Sequence, residues 1–181
     1  MDIATIYQII WNFLWRKRMN QCLKYSQGRI LDIGCGNNLL VKKYGNAMGI
    51  GVDVHPWPGA DIICDTTHLP FEENEFDRVF LIGCLNHILE REKVLREAHR
   101  VLRPGGIIIV TMIGPKVGFW VHKLGKFIGE PDQKERGMKK GEVYGMSKKE
   151  VDKLLVGAGF KEISHQKFEL GLNTIYSAKK L

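Results

Sequence analysis

Five apolar runs punctuate the first 113 residues: "RILDI" at 29–33, "AMGIGVDV" at 47–54, "ADIICD" at 60–65, "FDRVFLIG" at 76–83 and "GIIIVTMI" at 106–113. They are apolar at consecutive positions. A strand covered on both faces reads this way, whereas a strand with one wet face alternates. Helical stretches separate them. "LLVKKYG" is a short one. Between the fourth and fifth runs, Ile88, Leu89, Val94, Leu95, Ala98, Val101 and Leu102 fall at helical spacing, and Glu92 and Arg96 form an i, i+4 pair. Pro104-Gly105-Gly106 stops that helix and turns the chain. Ser147 and Glu150 make a capping box for a last helix carrying Val151, Leu154 and Leu155, which ends at Gly157 and Gly159. "FKEISHQKFEL" and "NTIYSAKKL" then read as two strands about a short turn at Gly171. So short a turn joins only antiparallel neighbours. The order predicts an α/β fold, a doubly wound and mostly parallel sheet of seven strands with a C-terminal antiparallel hairpin.

The length of 181 residues suits one domain, expected over 1–181. Two parts lie outside the alternation: a helical cover at 1–25 and an insertion at 114–145. No apolar run is long enough for a membrane span. The N-terminus lacks the pattern of a signal peptide, since Asp2 sits where a basic region belongs and Arg16-Lys17-Arg18 follows the apolar part. A cytoplasmic location is expected. Cys22, Cys35, Cys64 and Cys84 are widely spaced, with no C-x-x-C pair, and read as small buried hydrophobes; no metal is expected. The net charge of +7 leaves an anionic partner open beside a plain basic surface.

In a doubly wound sheet, ligands bind beyond the carboxyl ends of the strands. The loop after the first strand, "DIGCGNN" from Asp32, therefore carries the most information. Gly34 and Gly36 permit a tight turn and close approach of backbone to ligand. Asp53 ends the second strand about 20 residues on, where a carboxylate accepts from ribose hydroxyls. The dinucleotide fingerprint is incomplete, because Leu39 holds its third glycine position. Asp32 also opposes a pyrophosphate. A carboxylate there suits a ligand with a cationic end, such as an ammonium or a sulfonium.

"ILDIGCGNN", "GVDVHPW", "CDTTHLPFEENEFDRVFLIGCLNHI" and "REAHRVLRPGGIIIVT" occur in that order. Together they resemble the motifs of class I S-adenosylmethionine-dependent methyltransferases, in particular the ubiquinone/menaquinone-type subgroup. The resemblance covers residues 28 to 113, and more loosely the final helix and hairpin. It implies the Rossmann-like methyltransferase fold and S-adenosyl-L-methionine as cofactor. Asp32 with the Gly34–Cys35–Gly36 backbone would hold the methionine end. Asp53, with Val54 beside it, would hold the ribose. Asp65 and the backbone of Thr66 and Thr67 would face the adenine amino group. Ile82, Gly83 and Cys84 would line the cofactor near the sulfonium. The third glycine of the family loop is Asn38 here, a residue that tolerates left-handed backbone.

The acceptor is not named by the sequence. The N/D-P-P-Y pattern of amino-group methyltransferases is missing; Cys84-Leu85-Asn86-His87 stands there. His87 is the candidate base or orienting group, against a reading as a helix-start residue. The insertion carries Val117, Trp120, Val121, Leu124, Phe127 and Ile128 on one face, and the N-terminal segment carries Ile3, Ile6, Tyr7, Ile10, Phe13 and Leu14. Together they read as a substrate lid, as plain core cover, or as a basic amphipathic surface for peripheral membrane contact. Tyr7, Trp11, Trp120 and Tyr144 are the candidate substrate-binding residues. A small lipophilic or aromatic acceptor is expected. RNA is the alternative acceptor, and a non-catalytic cofactor-binding partner subunit is the alternative class.

Overall fold

Helix α1 (Ile3–Leu23) opens the chain, with the Asp2 carboxylate accepting from the Thr5 amide at 2.7 Å as its cap. The structure, a computed structural model, describes residues 2–45, 47–128 and 140–181, apart from the side chains at 3, 4, 7, 8, 10, 11 and 124–128. Strand β1 (Ile30–Ile33), α2 (Leu39–Tyr44), β2 (Gly49–Asp53), β3 (Ile62–Ile63) and β4 (Phe76–Ile82) follow. A 3-10 turn (Leu85–His87) leads to α3 (Arg91–Val101) and β5 (Leu102–Ile113). Helices α4 (Pro115–Ile128) and α5 (Lys148–Gly157) precede β6 (Lys161–Phe168), a second 3-10 turn (Glu169–Gly171) and β7 (Asn173–Lys179).

The seven strands form one sheet in the order β3-β2-β1-β4-β5-β7-β6. The first five are parallel, and β7 runs antiparallel to both β5 and β6. This is the doubly wound sheet with a C-terminal hairpin that the run order predicts. Its two cores follow from the pleat, which sends successive side chains to opposite faces. Leu31, Ile33, Val79 and Leu81 pack with Val94, Leu95 and Ala98 of α3 and with Val151 and Leu155 of α5. Ile30, Phe80 and Ile82 pack with Met19 and Cys22 of α1 and Leu40 of α2. The capping box at Ser147 and Glu150 forms as expected.

Four local expectations need correction. The third run pairs only at Ile62–Ile63, because β3 is an edge strand with β2 as its sole neighbour. The fifth strand begins at Leu102, before Pro104-Gly105-Gly106, and a register shift opposite Phe76 and Arg78 absorbs those residues. Leu89 does not share the α3 face: Ile88 is extended, α3 starts at Arg91, and Leu89 is exposed. On α1 the buried residues are Met19 and Cys22, while Ile6 and Phe13 of the N-terminal apolar face are exposed. Of the cysteines, only Cys22 is fully buried; Cys35, Cys64 and Cys84 are partly exposed, and all four are free thiols. No helix among the described residues is long and apolar enough to cross a membrane.

Candidate functional site

Strand order reverses between β1 and β4, so a crevice opens beyond their carboxyl ends. The loop after β1 forms its floor. Gly34 and Gly36 have φ of 71° and 53°, and Asn38 takes the same left-handed region at φ 58°. The amides of Gly34 and Cys35 both donate to the Val52 carbonyl, at 2.9 and 3.1 Å, which folds the loop back over β2. A Cβ on Gly34 would fall 2.8 Å from the Cys84 Cβ, so only glycine lets the loop after β1 touch the chain after β4. The Asn38 amide group is buried and donates to Asp61 Oδ2 at 2.7 Å, and the Gly51 amide donates to the same oxygen at 2.7 Å. Asp61 thus ties the loop to β2. Sequence reading missed it, since it looked like one more residue of a strand.

Two carboxylates face the crevice. Asp53 at the end of β2 accepts from the amides of Gly36 and His55, each at 2.9 Å. Asp32 in β1 is buried, and its Oδ1 has no hydrogen-bond partner. Burial, aided by the Asp53 charge, pushes its carboxyl up to about 8. An orphaned buried carboxyl is costly unless a partner arrives. A ligand ammonium is the partner that its charge selects. The loop and the two carboxylates therefore fit an amino-acid end and a ribose.

The remaining candidates spread around this floor. Val54, just past β2, is exposed. Asp65 is exposed and accepts from the amide and hydroxyl of Thr67, both at 2.8 Å, as an Asx turn does; Thr66 is buried. Those bonds hold the Asp65 carboxyl below its usual range. Ile82 is buried at the end of β4, and Gly83 follows at φ 64°. The Cys84 thiol donates to the Ile33 carbonyl at 3.2 Å, and burial raises it well above the ordinary thiol range, as burial also raises Cys35. Neither sulfur is poised as a nucleophile. His87 Nδ1 lies 3.0 Å from Glu142 Oε2, and its ring meets His122 at 5.5 Å. Asn86 and Val143 exchange hydrogen bonds, so the 141–146 stretch is strapped beside the chain after β4.

Beyond β5, α1 and α4 meet the β6–β7 turn around an apolar cleft lined by Leu14, Trp15, Ile113, Val117, Val121 and Leu172. Two charged residues enter it, Arg18 and Glu169, and neither was singled out in the sequence. The cue for Arg18 was present, because Trp15, Arg18, Met19 and Cys22 follow i, i+3, i+4, i+7 spacing. Of the expected substrate residues, Trp120 is exposed and stacks edge-on with Phe119, away from the cleft lining. Tyr144 meets Phe119 and His122, each at 5.5 Å, and its backbone presses on Gly118 of α4. The side chains of Tyr7 and Trp11 lie outside the described residues, as do those of Leu124, Phe127 and Ile128.

A family model described as a methyltransferase domain matches residues 31–110, the span from β1 to β5. The chain is 34% identical over 144 residues to an uncharacterized protein of Methanocaldococcus jannaschii, across 76% of this chain and 66% of that one. It is 30% identical over 125 residues to a demethylmenaquinone methyltransferase of Bacillus pumilus, across 62% and 53%. It superimposes on a Thermotoga maritima crystal structure described as a SAM-dependent methyltransferase and possible histamine N-methyltransferase, with a TM-score of 0.71 and 20% identity over 99% of this chain and 96% of that one. Residues 31–110 thus carry a methyltransferase domain, and the sheet around them has the fold of the SAM-dependent methyltransferase structure. The chain spans about half to two thirds of the length of the two sequence relatives named. The glycine loop, Asp32 and Asp53 stand at the switch point of the sheet, and Trp15 and Arg18 of the apolar cleft lie against Gly83.

Proposed function

We propose that the chain transfers a methyl group from S-adenosylmethionine to a small lipophilic or aromatic acceptor held in the cleft between α1, α4 and the β6–β7 turn. The observation that carries the cofactor half is the buried, unpartnered Asp32 carboxyl beside the glycine loop. The bound cofactor supplies a methyl carbon made electrophilic by its sulfonium. Asp32 holds the ammonium, and the Gly34–Gly36 backbone surrounds the methionine end. Asp53, already fixed by two amides, keeps lone pairs for the ribose hydroxyls. Asp65 and Thr66–Thr67 face the adenine, and Ile82–Gly83–Cys84 flank the reacting end.

The apolar lining of the cleft supports the acceptor class. Val117 and Val121 make α4 its cover, which supports the reading of the 114–145 segment as a lid. Positioning supplies much of the rate in such a displacement. His87, oriented by Glu142, is the group for taking a proton from an acceptor that must lose one.

Calorimetric titration with S-adenosylmethionine and S-adenosylhomocysteine, beside Asp53→Ala, tests the cofactor half. Micromolar binding that weakens at least tenfold in the variant is expected. A folded protein that binds neither compound would falsify the proposal. Labelled methyl transfer to lipophilic, small polar and RNA probes then tests the acceptor half, with the lipophilic set expected to react.

A further inference from the structure

Two charged residues that line the apolar cleft carry atoms that nothing among the described residues completes. Arg18 Nε and Glu169 Oε1 are both shut off from solvent without a hydrogen-bond partner. Arg18 Nη1 reaches to the backbone of Gly83, where a Cβ would fall 2.7 Å from it. The guanidinium lies over the Trp15 ring at 5.1 Å. On the other side, Glu169 Oε2 accepts a long bond of 3.4 Å from Asn173. The opposite charges sense each other, yet they form no ion pair among the described contacts. One donor and one acceptor, on two residues that line the same apolar cleft, are left without partners, and orphaned buried polar atoms are costly.

The backbone here is held in an unusual state. Glu169, Leu170 and Gly171 take φ of 53°, 57° and 84°, three left-handed residues in succession, of which two are not glycine. Strain of this kind gathers where a side chain must be aimed. Its effect is to bring Glu169 to the cleft while Leu170 stands fully in solvent.

We propose that Arg18 and Glu169 are the specificity-determining pair of the acceptor site, and that they select an apolar molecule with a neutral hydroxyl head, which accepts from Arg18 and donates to Glu169. The proposal rests on the methyltransferase reading above. Charge balance decides the head group. A carboxylate would meet Glu169, an ammonium would meet Arg18, and either would leave the other orphan unsatisfied. A hydroxyl satisfies both at once and adds no charge. A bare hydrocarbon satisfies neither. Discrimination is strong when buried polar groups are left unpaired by the wrong ligand.

The test is calorimetry on the full chain saturated with S-adenosylhomocysteine. The probes are three of matched size: 4-ethylphenol, 4-ethylbenzoate and 4-ethylbenzylammonium. The unmodified protein is expected to bind the phenol about tenfold or more tightly than either ion. Glu169→Gln leaves Arg18 uncompensated and is expected to turn the preference toward the benzoate. Arg18→Gln is expected to turn it toward the ammonium. Should Arg18→Gln fail to fold, as judged by circular dichroism, Glu169→Gln decides alone. A ranking that neither variant moves overturns the proposal. So does loss of S-adenosylhomocysteine binding in Arg18→Gln with acceptor ranking unchanged in Glu169→Gln, since Arg18 would then serve the cofactor's carboxylate. An unmodified protein that does not bind S-adenosylhomocysteine overturns both this assignment and the methyltransferase reading.

Discussion

The floor of the crevice at the switch point is made from one stretch, residues 32 to 61, in which a strand end, a glycine loop and a second strand end bond directly to one another. The apolar cleft proposed for the acceptor is assembled from three distant segments, around residues 14–18, 113–121 and 169–172. At the first end most polar groups are paired within the loop, and two oxygens, Asp32 Oδ1 and the amide oxygen of Asn38, are left over. At the second, two charged side chains each keep an orphaned atom. The floor is held by backbone bonds together with the carboxylates of Asp53 and Asp61, all within thirty residues of chain. The cleft takes its chemistry from side chains on three elements that are far apart in the chain.

The comparison breaks most readily at Gly34. Gly34→Ala combines a φ of 71° with a Cβ crowding Cys84, so it is expected to weaken S-adenosylhomocysteine binding a hundredfold or more and to lower the melting temperature. A variant that binds as the parent does would show that the floor is not backbone-determined. Asp32→Asn separates charge from packing. The Asp32 carboxyl titrates near 8 in the folded chain and near 3.8 when free, so the folded state binds more protons across that window. The ligand-free protein should therefore lose stability as pH rises from about 4 to about 8. Asp32→Asn removes that slope and is expected to melt above the parent at pH 8, with the difference closing toward pH 4. It should also bind S-adenosylhomocysteine about tenfold more weakly, and the proton released when the parent binds at neutral pH should vanish. Identical melting curves at pH 8 would mean that the Asp32 environment is wetter than described.

The smallest effect belongs to the acceptor end. Leu170→Gly relieves a left-handed leucine whose side chain touches only solvent. Glycine's own entropy cost offsets part of the gain, leaving about 0.5 kcal/mol of added stability, readable by urea unfolding. Cofactor affinity should stay within twofold. A loss of stability would indicate that Leu170 packs on something.

Legibility in the sequence divides along the same line. The run order sufficed for the sheet, and the asparagine in the family loop takes the left-handed geometry expected of it, because both are local. The edge strand and the early start of β5 escaped, since pairing length depends on which neighbour is present. Arg18 was hidden inside Arg16-Lys17-Arg18, where the two flanking residues are exposed as a charge run suggests. Only its place on the Trp15–Met19–Cys22 stripe set it apart. Glu169 carried no local signal, because the charge it senses, Arg18, lies on the first helix. Trp120 was legible only as one residue of an apolar helical face; in the fold it is exposed, with the Lys123 ammonium over its ring.

The strand order also governs how the molecule comes into being. Strand β7 lies between β5 and β6, although it is made after both. During synthesis the apolar edge of β5 must wait, unpaired, while α4, α5 and β6 emerge. Neither β5 nor β6 can close until residues 173–179 clear the ribosome. The half-made chain thus exposes a sticky strand edge for most of its final third, and a pause there would invite the wrong neighbour.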